Sequence, residues 1–110
     1  MIEIRGYIDE AGNKRFAQWL EGLDGAAAAK VTIALTRMEQ GNLSMVKGVG
    51  SGVFEYKIDF GPGYRIYFGK DGDRLVILVG GGTKKRQQKD IVAAQECWAA
   101  YKRRKRQEIQ

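Results

Sequence analysis

The sequence of 110 residues contains no histidine and a single cysteine, Cys97. One cysteine cannot form an internal disulfide, and without histidine it cannot complete the usual ligand sets of a zinc site. We therefore expect no disulfide, no metal and no cofactor, and we interpret Cys97 as a small, buried apolar residue. The lack of histidine also removes the simplest general acid or base for chemistry near neutral pH.

Long apolar runs are missing as well. The chain has no stretch of about 18 or more apolar residues and no charged-then-apolar leader. This pattern argues against a membrane-spanning helix and predicts a cytoplasmic protein that does not act at a membrane. The length and the 44 % hydrophobic content predict a single domain over residues 1–110 with one modest core, ending in a basic tail over 102–110.

Positive charge is abundant but unevenly distributed. The formal net charge is +6, yet residues 1–40 hold five Lys or Arg against six Asp or Glu, whereas residues 41–110 hold fourteen against seven. A basic surplus confined to one part of a chain favours a polyanionic partner, nucleic acid first. A merely basic, solvated surface would have the same composition.

The segment from Val53 to Phe68 alternates between apolar and polar residues on both sides of a central turn. A period of two is typical of strands with one buried face, so we predict an antiparallel hairpin closed by Gly61-Pro62-Gly63. With that turn, Asp59 would lie opposite Arg65. This register keeps the apolar side chains on one face. They are Phe54, Tyr56, Ile58, Phe60, Tyr64, Ile66 and Phe68.

The opposite face of the predicted hairpin is polar and carries Glu55, Lys57, Asp59, Arg65 and Tyr67. One apolar face is enough to attach a hairpin to a core, so we expect the polar face to be open to solvent. Its cations and its tyrosine would then suit contact with a polyanion.

The rest of the pattern predicts an α+β domain. Apolar spacings of three and four residues indicate helices, and alternation or short unbroken apolar runs indicate strands. The predicted elements around the hairpin are a strand over 1–8, a short helix capped by Asn13, a helix over 25–40 between Asp24 and Gly41, a flexible connector over 42–52, a central strand over 75–79 ended by Gly80-Gly81-Gly82, and a last helix after the basic segment 84–89. The first two helices should pair and cover the apolar face of the sheet.

Four segments, in this order and spacing, resemble the toxins of the RelE/ParE superfamily, and most closely the HigB-like, phage-derived addiction module killer proteins. The segments are Val49 to Glu55, Gly61 to Tyr67, the apolar strand leading into Gly80-Gly81-Gly82-Thr83-Lys84, and Gln87 to Ala94. The resemblance covers nearly the whole chain. It implies a RelE/ParE-like antiparallel sheet in the order β-α-α-β-β-β-α, with a helical hairpin packed on one face.

The resemblance also implies a function. It indicates the toxin of a type II toxin–antitoxin system, held inactive by a cognate antitoxin, commonly a helix-turn-helix protein, and contacting operator DNA only through the antitoxin complex. Many members of the superfamily cut messenger RNA on the ribosome without metal, which is the function we predict. Two alternatives stay open, namely a DNA gyrase inhibitor of the ParE kind and a non-catalytic, antitoxin-binding corepressor.

Cleavage of RNA through its own 2′-hydroxyl needs a proton acceptor, cations for the charge developing on the phosphate, and a proton donor for the leaving 5′-oxygen. We predict that the catalytic residues are Arg65, Lys57, Lys84, Lys85 and Glu55. The predicted RNA-binding residues are Lys47, Arg86, Lys89 and Tyr67. The resemblance implies the roles of Arg65, Lys57, Lys84 and Lys85, whereas Glu55 is a candidate proton acceptor by its chemistry.

Each of the five predicted catalytic residues also has a purely structural interpretation. Arg65 would form a cross-strand ion pair with Asp59, Lys57 and Glu55 would be solvated strand residues, and Lys84 and Lys85 would flank a helix start, where cations oppose the helix dipole. Two positions depart from the ribonuclease members of the superfamily: Asp59, where some have a lysine, and Ile91, where they have a tyrosine.

Overall fold

The computed structural model describes residues 1–44 and 46–109. Its strands are β1 (Glu3–Gly6), β2 (Val46–Gly48), β3 (Val53–Ile58), β4 (Tyr64–Lys70) and β5 (Leu75–Thr83), and its helices are α1 (Arg15–Glu21), α2 (Gly25–Glu39) and α3 (Gln87–Ile109), with a 3-10 turn over Lys84–Arg86 before α3. The predicted α+β class is confirmed. No helix of the described chain is both long enough and apolar enough to span a membrane.

The five strands form one sheet in the order β1-β5-β4-β3-β2. The pairs β2–β3, β3–β4 and β4–β5 are antiparallel, whereas β1 runs parallel to β5. The prediction of an antiparallel sheet therefore holds for β2 to β5 but is wrong for β1, which pairs in parallel with β5. The predicted connector over 42–52 is also wrong in part, since β2 lies within it; Met45 of that connector lies outside the described residues.

Helices α1 and α2 cover one face of the sheet, as predicted. Helix α2 begins where the Asp24 carboxylate accepts a hydrogen bond of 2.9 Å from the Ala27 N–H, which satisfies a free donor of the first turn. The predicted Asn13 cap of α1 is wrong. The Asn13 side chain instead donates to Asp9 at 3.0 Å, and α1 begins at Arg15 without a side-chain cap.

Helix α3 packs on the opposite face of the sheet and creates a second core there. Cys97 and Trp98 of α3 are buried against Tyr67 and Val79 of the strands, so the burial of Cys97 is confirmed. The expectation that the polar face of the hairpin is open to solvent holds for Lys57 but is wrong for Glu55, Arg65 and Tyr67, which are buried. Val53 and Tyr67 on that face, together with the apolar side of α3, supply the packing that covers it.

The hairpin pairs two residues away from the predicted register. Lys57 lies opposite Arg65 and Ile58 opposite Tyr64, so the connecting loop runs from Asp59 to Gly63. The faces of the two strands are those predicted, because a shift of two residues leaves every side chain on the same side. Asp59 is thus an exposed loop residue and does not lie opposite Arg65.

Strand β5 is central and buried, as predicted, but it continues through the glycine run to Thr83. The glycines allow the helices to approach the strand backbone closely, because a Cβ on Gly81 would overlap the Trp19 ring and a Cβ on Gly82 would overlap the Asp90 carboxylate. The basic segment 102–109 continues α3 as helix. Gln110 of the predicted tail lies outside the described residues.

Candidate functional site

Two neighbouring rows of paired residues bring most of the predicted site residues to one region of the sheet. In the first row, Lys47 of β2 lies opposite Glu55 of β3, which lies opposite Tyr67 of β4. In the second row, Lys57 of β3 lies opposite Arg65 of β4. Strand alternation places these side chains on the α3 side of the sheet. We call the group formed by Lys47, Glu55, Lys57, Arg65, Lys84 and Gln87 the Glu55 cluster.

Arg65 is the buried cation of the Glu55 cluster, with 4 % of its surface exposed. Its Nη1 donates a hydrogen bond of 2.6 Å to the Gly63 carbonyl, and its Nε lies 3.9 Å from Oε1 of Glu55. The same Gly63 carbonyl accepts a hydrogen bond of 2.9 Å from the backbone N–H of Lys84. The turn that precedes β4 therefore fixes Arg65 and the start of the 3-10 segment against one acceptor.

Gly63 is the position that this arrangement requires to be glycine. Its φ of +80° is left-handed, and a Cβ there would lie 2.7 Å from Nη1 of Arg65 and 3.4 Å from Cβ of Lys84. A side chain at this position would both strain the backbone and displace the guanidinium. The glycine thus allows Lys84 and Arg65 to lie side by side.

Glu55 is buried, with 1 % of its surface exposed, and both of its carboxylate oxygens have polar or charged neighbours. Oε2 accepts a hydrogen bond of 2.8 Å from Nε2 of Gln87, the first residue of α3. Oε1 lies 3.8 Å from Nζ of Lys47, as well as facing Arg65. The interpretation of Glu55 as an exposed strand residue is therefore wrong, because the start of α3 lies over it.

Three buried polar atoms lie in the layer between the sheet and the start of α3: Arg65 Nε, Tyr67 Oη and Asp90 Oδ2. None of them has a hydrogen-bond partner among the described residues. Burial, and next the negative charge of Glu55, raise the pKa of Tyr67 well above its usual range. Burial also raises the pKa of Asp90, against the opposing charges of Arg86 and Arg15.

The structure separates the predicted site residues into two groups. Lys47, Glu55, Lys57, Arg65 and Lys84 come together, with the three lysines exposed and the other two residues buried. The remaining cations, Lys85, Arg86 and Lys89, are exposed on the 3-10 segment and the first turn of α3. Arg86 lines a different cavity, of about 310 Å³, beside Trp19 and Asp90. Tyr67 is fully buried, so the prediction that it lies on an exposed RNA-binding surface is wrong.

Gln87, Asp90 and Gly63 belong to the site but were missed from the sequence. The sequence does contain a signal for Gln87 and Asp90, because these two polar residues lie one turn apart at the start of the last helix. Polar side chains on a buried strand face need polar partners, and the start of this helix supplies them. Gly63 was interpreted as a turn residue only, because its contact with Arg65 depends on a register that the sequence does not specify. Within the described residues, no three metal-ligating side chains form a group suited to a metal ion.

The charged side chains of the Glu55 cluster determine the electrostatic character of the site. The Glu55 cluster holds four cations, Lys47, Lys57, Arg65 and Lys84, against the carboxylate of Glu55 and the neighbouring carboxyl of Asp90. The net excess of positive charge, partly in a low-dielectric layer, attracts an anion to the exposed lysines. The arrangement can bind phosphate and stabilise negative charge that develops on it.

Comparison with known proteins identifies the class. Residues 18–105 match the family described as Phage derived protein Gp49-like (DUF891). This match spans most of the chain, so the protein belongs to that family, a toxin-like family of RelE/HigB type found in toxin–antitoxin systems. The predicted resemblance is confirmed at this level, and the assignment to the HigB-like group stays a prediction.

A bacterial protein is also similar to this chain. An uncharacterized protein of Haemophilus influenzae (strain ATCC 51907 / DSM 11121 / KW20 / Rd) is 42 % identical over 81 residues, which is 73 % of this chain and 82 % of the relative. The similarity therefore extends over most of both chains.

Proposed function

We propose that this protein is the toxin of a type II toxin–antitoxin pair and that it cuts messenger RNA on the ribosome. The observation that carries the proposal is the Glu55 cluster, in which exposed Lys57 and Lys84 flank the buried Arg65. In the cleavage reaction the 2′-hydroxyl of the RNA releases its proton to water as its oxygen attacks the adjacent phosphorus, and the departing 5′-oxygen takes up a proton from water. Negative charge accumulates on the phosphate during this step, and positioned cations stabilise it.

The geometry supports different roles for the three cations. Lys57 and Lys84 are exposed, so a phosphate meets their ammonium groups first. Arg65 lies behind them and contributes a fixed positive charge from a layer with little water, where its field is weakly screened. Glu55 and the Gly63 carbonyl hold the guanidinium in place. We therefore assign Glu55 a positioning role, in place of the proton acceptor role expected from the sequence.

A purely structural role for the cluster explains these features less well. A buried ion pair contributes little net stability after desolvation, and each buried polar atom without a partner costs about 1 to 3 kcal/mol. Arg65 Nε and Tyr67 Oη are buried without a hydrogen-bond partner among the described residues. Perturbed, costly polar groups concentrate at functional sites, which favours a catalytic or binding role for this layer.

The partners follow from the family. A toxin of RelE/HigB type is paired with an antitoxin, which we propose to be a helix-turn-helix protein that blocks the Glu55 cluster and carries the complex to operator DNA. The ribosome and its messenger RNA are the proposed target. The net charge of +6 is consistent with a polyanionic target of this kind.

A second candidate function is inhibition of DNA gyrase. The observation that favours it is the burial of Arg65: with 4 % of its surface exposed, the guanidinium presents little area for a two-oxygen grip on phosphate. A gyrase inhibitor acts by binding and needs no catalytic cation. Its activity would depend on a broad surface and would tolerate the loss of any single lysine of the cluster.

The test is induced expression in a bacterial host, with messenger RNA ends mapped by primer extension and plasmid supercoiling measured in the same cells. The proposal predicts growth arrest with new message ends and unchanged supercoiling. Growth arrest with intact messages and relaxed plasmid would support the gyrase candidate instead. Coexpression of the gene adjacent to the toxin gene should restore growth if it encodes the antitoxin.

A further inference from the structure

Strand β1 leaves one edge of the sheet unpaired. It is the end strand, and among the described residues no other strand pairs with its outer side. The N–H groups of Glu3 and Tyr7 donate inward, to carbonyls of Arg74 and Leu78, at 2.7 and 3.0 Å. Since backbone groups alternate in direction along a strand, those of Ile4 and Gly6 point outward. Free outward N–H and C=O groups are a template for another strand.

A cavity lies along this edge. It has a volume of about 510 Å³ and is bounded by β1, the start of β5 and the last turns of α3. Its apolar lining comes from Leu75, Ile77, Tyr7 and Tyr101, and Ile8 at its margin is 48 % exposed. We call this space the β1 groove. A strand added to β1 would direct alternate side chains into it.

The charged groups of the β1 groove favour an acidic occupant. Arg5, Arg104 and Lys105 line it, against two acids. Asp71 accepts hydrogen bonds from Tyr101 and Lys105, and Arg5 pairs with the exposed Glu3, so the three cations and two acids of the lining leave an excess of one positive charge. The exposed cations of the adjacent helical segment add to the positive field. They are Lys102, Arg103 and Arg106.

We propose that the β1 groove binds an extended, acidic segment of a partner protein, which adds to β1 as a further strand of the sheet. Backbone hydrogen bonds to Ile4 and Gly6 give the affinity, and acidic and apolar side chains directed into the groove give the specificity. The antitoxin of the proposed function is one source of such a segment. The inference does not rest on nuclease activity, because the groove lies at the Leu75 end of β5 and the Glu55 cluster lies near the Gly82 end.

The probe is a synthetic peptide of about ten residues that alternates Glu and Val, a length that suits one strand. It is titrated into ¹⁵N-labelled protein, beside a Lys–Val peptide of the same length and an oligouridine. The Glu–Val peptide should shift the amide signals of Ile4 and Gly6 and those around Tyr101, and the Lys–Val peptide should not. No saturable shift at β1, or saturation there by oligouridine but not by the Glu–Val peptide, would overturn the proposal.

The chain offers a matched pair of variants at Gly6. A Cβ at this position would meet no atom within 4 Å, so an alanine side chain fits without a clash. Gly6→Pro removes the outward N–H, whereas Gly6→Ala keeps it. We expect about tenfold weaker peptide binding in Gly6→Pro and a change within about twofold in Gly6→Ala. Equal affinities in the two variants would overturn strand addition.

A second pair covers the case in which Gly6→Pro does not fold. Arg5→Glu reverses an exposed charge at the groove, and Lys14→Glu makes the same change at an exposed lysine outside its lining. Binding of the Glu–Val peptide should weaken in Arg5→Glu only, and equal weakening in both would overturn the acidic assignment. These measurements need no ribosome. A failed cleavage assay with intact peptide binding, or the reverse, therefore distinguishes the two proposals.

Discussion

The carboxylate of Glu55 faces the guanidinium of Arg65 beneath the first turn of α3, with Oε1 3.9 Å from Nε. The two residues are neighbours on adjacent strands, and Gln87 of α3 holds the carboxylate from above. In such a buried pair each charge depends on the other, because neither can be solvated by water. The position of Arg65 is therefore coupled to a strand residue and, through Gln87, to the start of the last helix.

Removal of Glu55 should destabilise the fold strongly. Glu55→Ala leaves the Arg65 charge buried without its counter-ion, and we expect a loss of about 3 kcal/mol or more in the free energy of unfolding. Urea denaturation followed by circular dichroism measures it. Glu96→Ala, at an exposed glutamate of α3, is the control and should change stability by less than about 0.5 kcal/mol. A loss in Glu55→Ala no larger than in the control would contradict a buried pair.

Alanine substitutions at Gly63 and Gly72 separate the effect of backbone strain from the effect of displacing Arg65. Both have positive φ, +80° and +75°, but a Cβ on Gly63 meets the Arg65 guanidinium at 2.7 Å, whereas a Cβ on Gly72 meets nothing within 4 Å. Alanine at either position should cost about 1 to 2 kcal/mol of backbone strain. Only Gly63→Ala should also abolish growth arrest. Retained toxicity of folded Gly63→Ala would show that the position of Arg65 is not needed.

The raised pKa of Asp90 predicts that the stability of the protein depends on pH. Burial raises its pKa in the folded state above the ordinary value of 3.8, so the folded protein holds this proton more tightly than the unfolded chain does. The contribution of Asp90 to stability is therefore most favourable at low pH and is lost as the pH rises through the folded pKa. Asp90→Asn cannot ionise and should remove this loss. Urea denaturation of both proteins at pH 4 and pH 7 measures it, and an identical change in both would contradict the prediction.

The contribution of Asp71 to stability should depend on pH in the opposite direction. Hydrogen bonds from Lys105 and Tyr101 lower its pKa below the ordinary value of 3.8. Its stabilising contribution is present above the unfolded value and is lost as the pH falls through the folded pKa. Asp71→Asn should therefore be less sensitive to acid than the wild-type protein. The measurement is the urea midpoint between pH 5 and pH 3, and a steeper fall in the variant would refute this assignment.

How much of the fold and of the candidate site could be predicted from the sequence depends on how far apart in the chain the interacting residues lie. The Asp24 cap of α2 was predicted correctly because it depends only on neighbouring residues. The buried apolar run of β5 was also predicted correctly. The hairpin faces were also right while its register was not, because period-two alternation cannot distinguish registers that differ by two residues. The burial of Glu55 depends on α3, which packs over it from a distant part of the chain. The strand β2 was missed because it is short and lies among glycines.

The exposed lysines of the Glu55 cluster separate function from stability. Lys57 and Lys84 are exposed, so alanine at both positions should change the free energy of unfolding by less than about 1 kcal/mol. The same double variant removes the cations that a phosphate meets first, and we expect at least about a tenfold loss of cleavage rate. Lys14→Ala combined with Lys30→Ala, at exposed lysines outside the cluster, is the matched control.

The most direct measurement is a translation reaction with purified protein, in which messenger RNA ends are mapped with and without ribosomes. The proposal predicts new ends that require ribosomes, that persist in the Lys14 and Lys30 control, and that decline in the Lys57 and Lys84 double variant. Intact message at protein levels that still arrest growth would contradict the central claim.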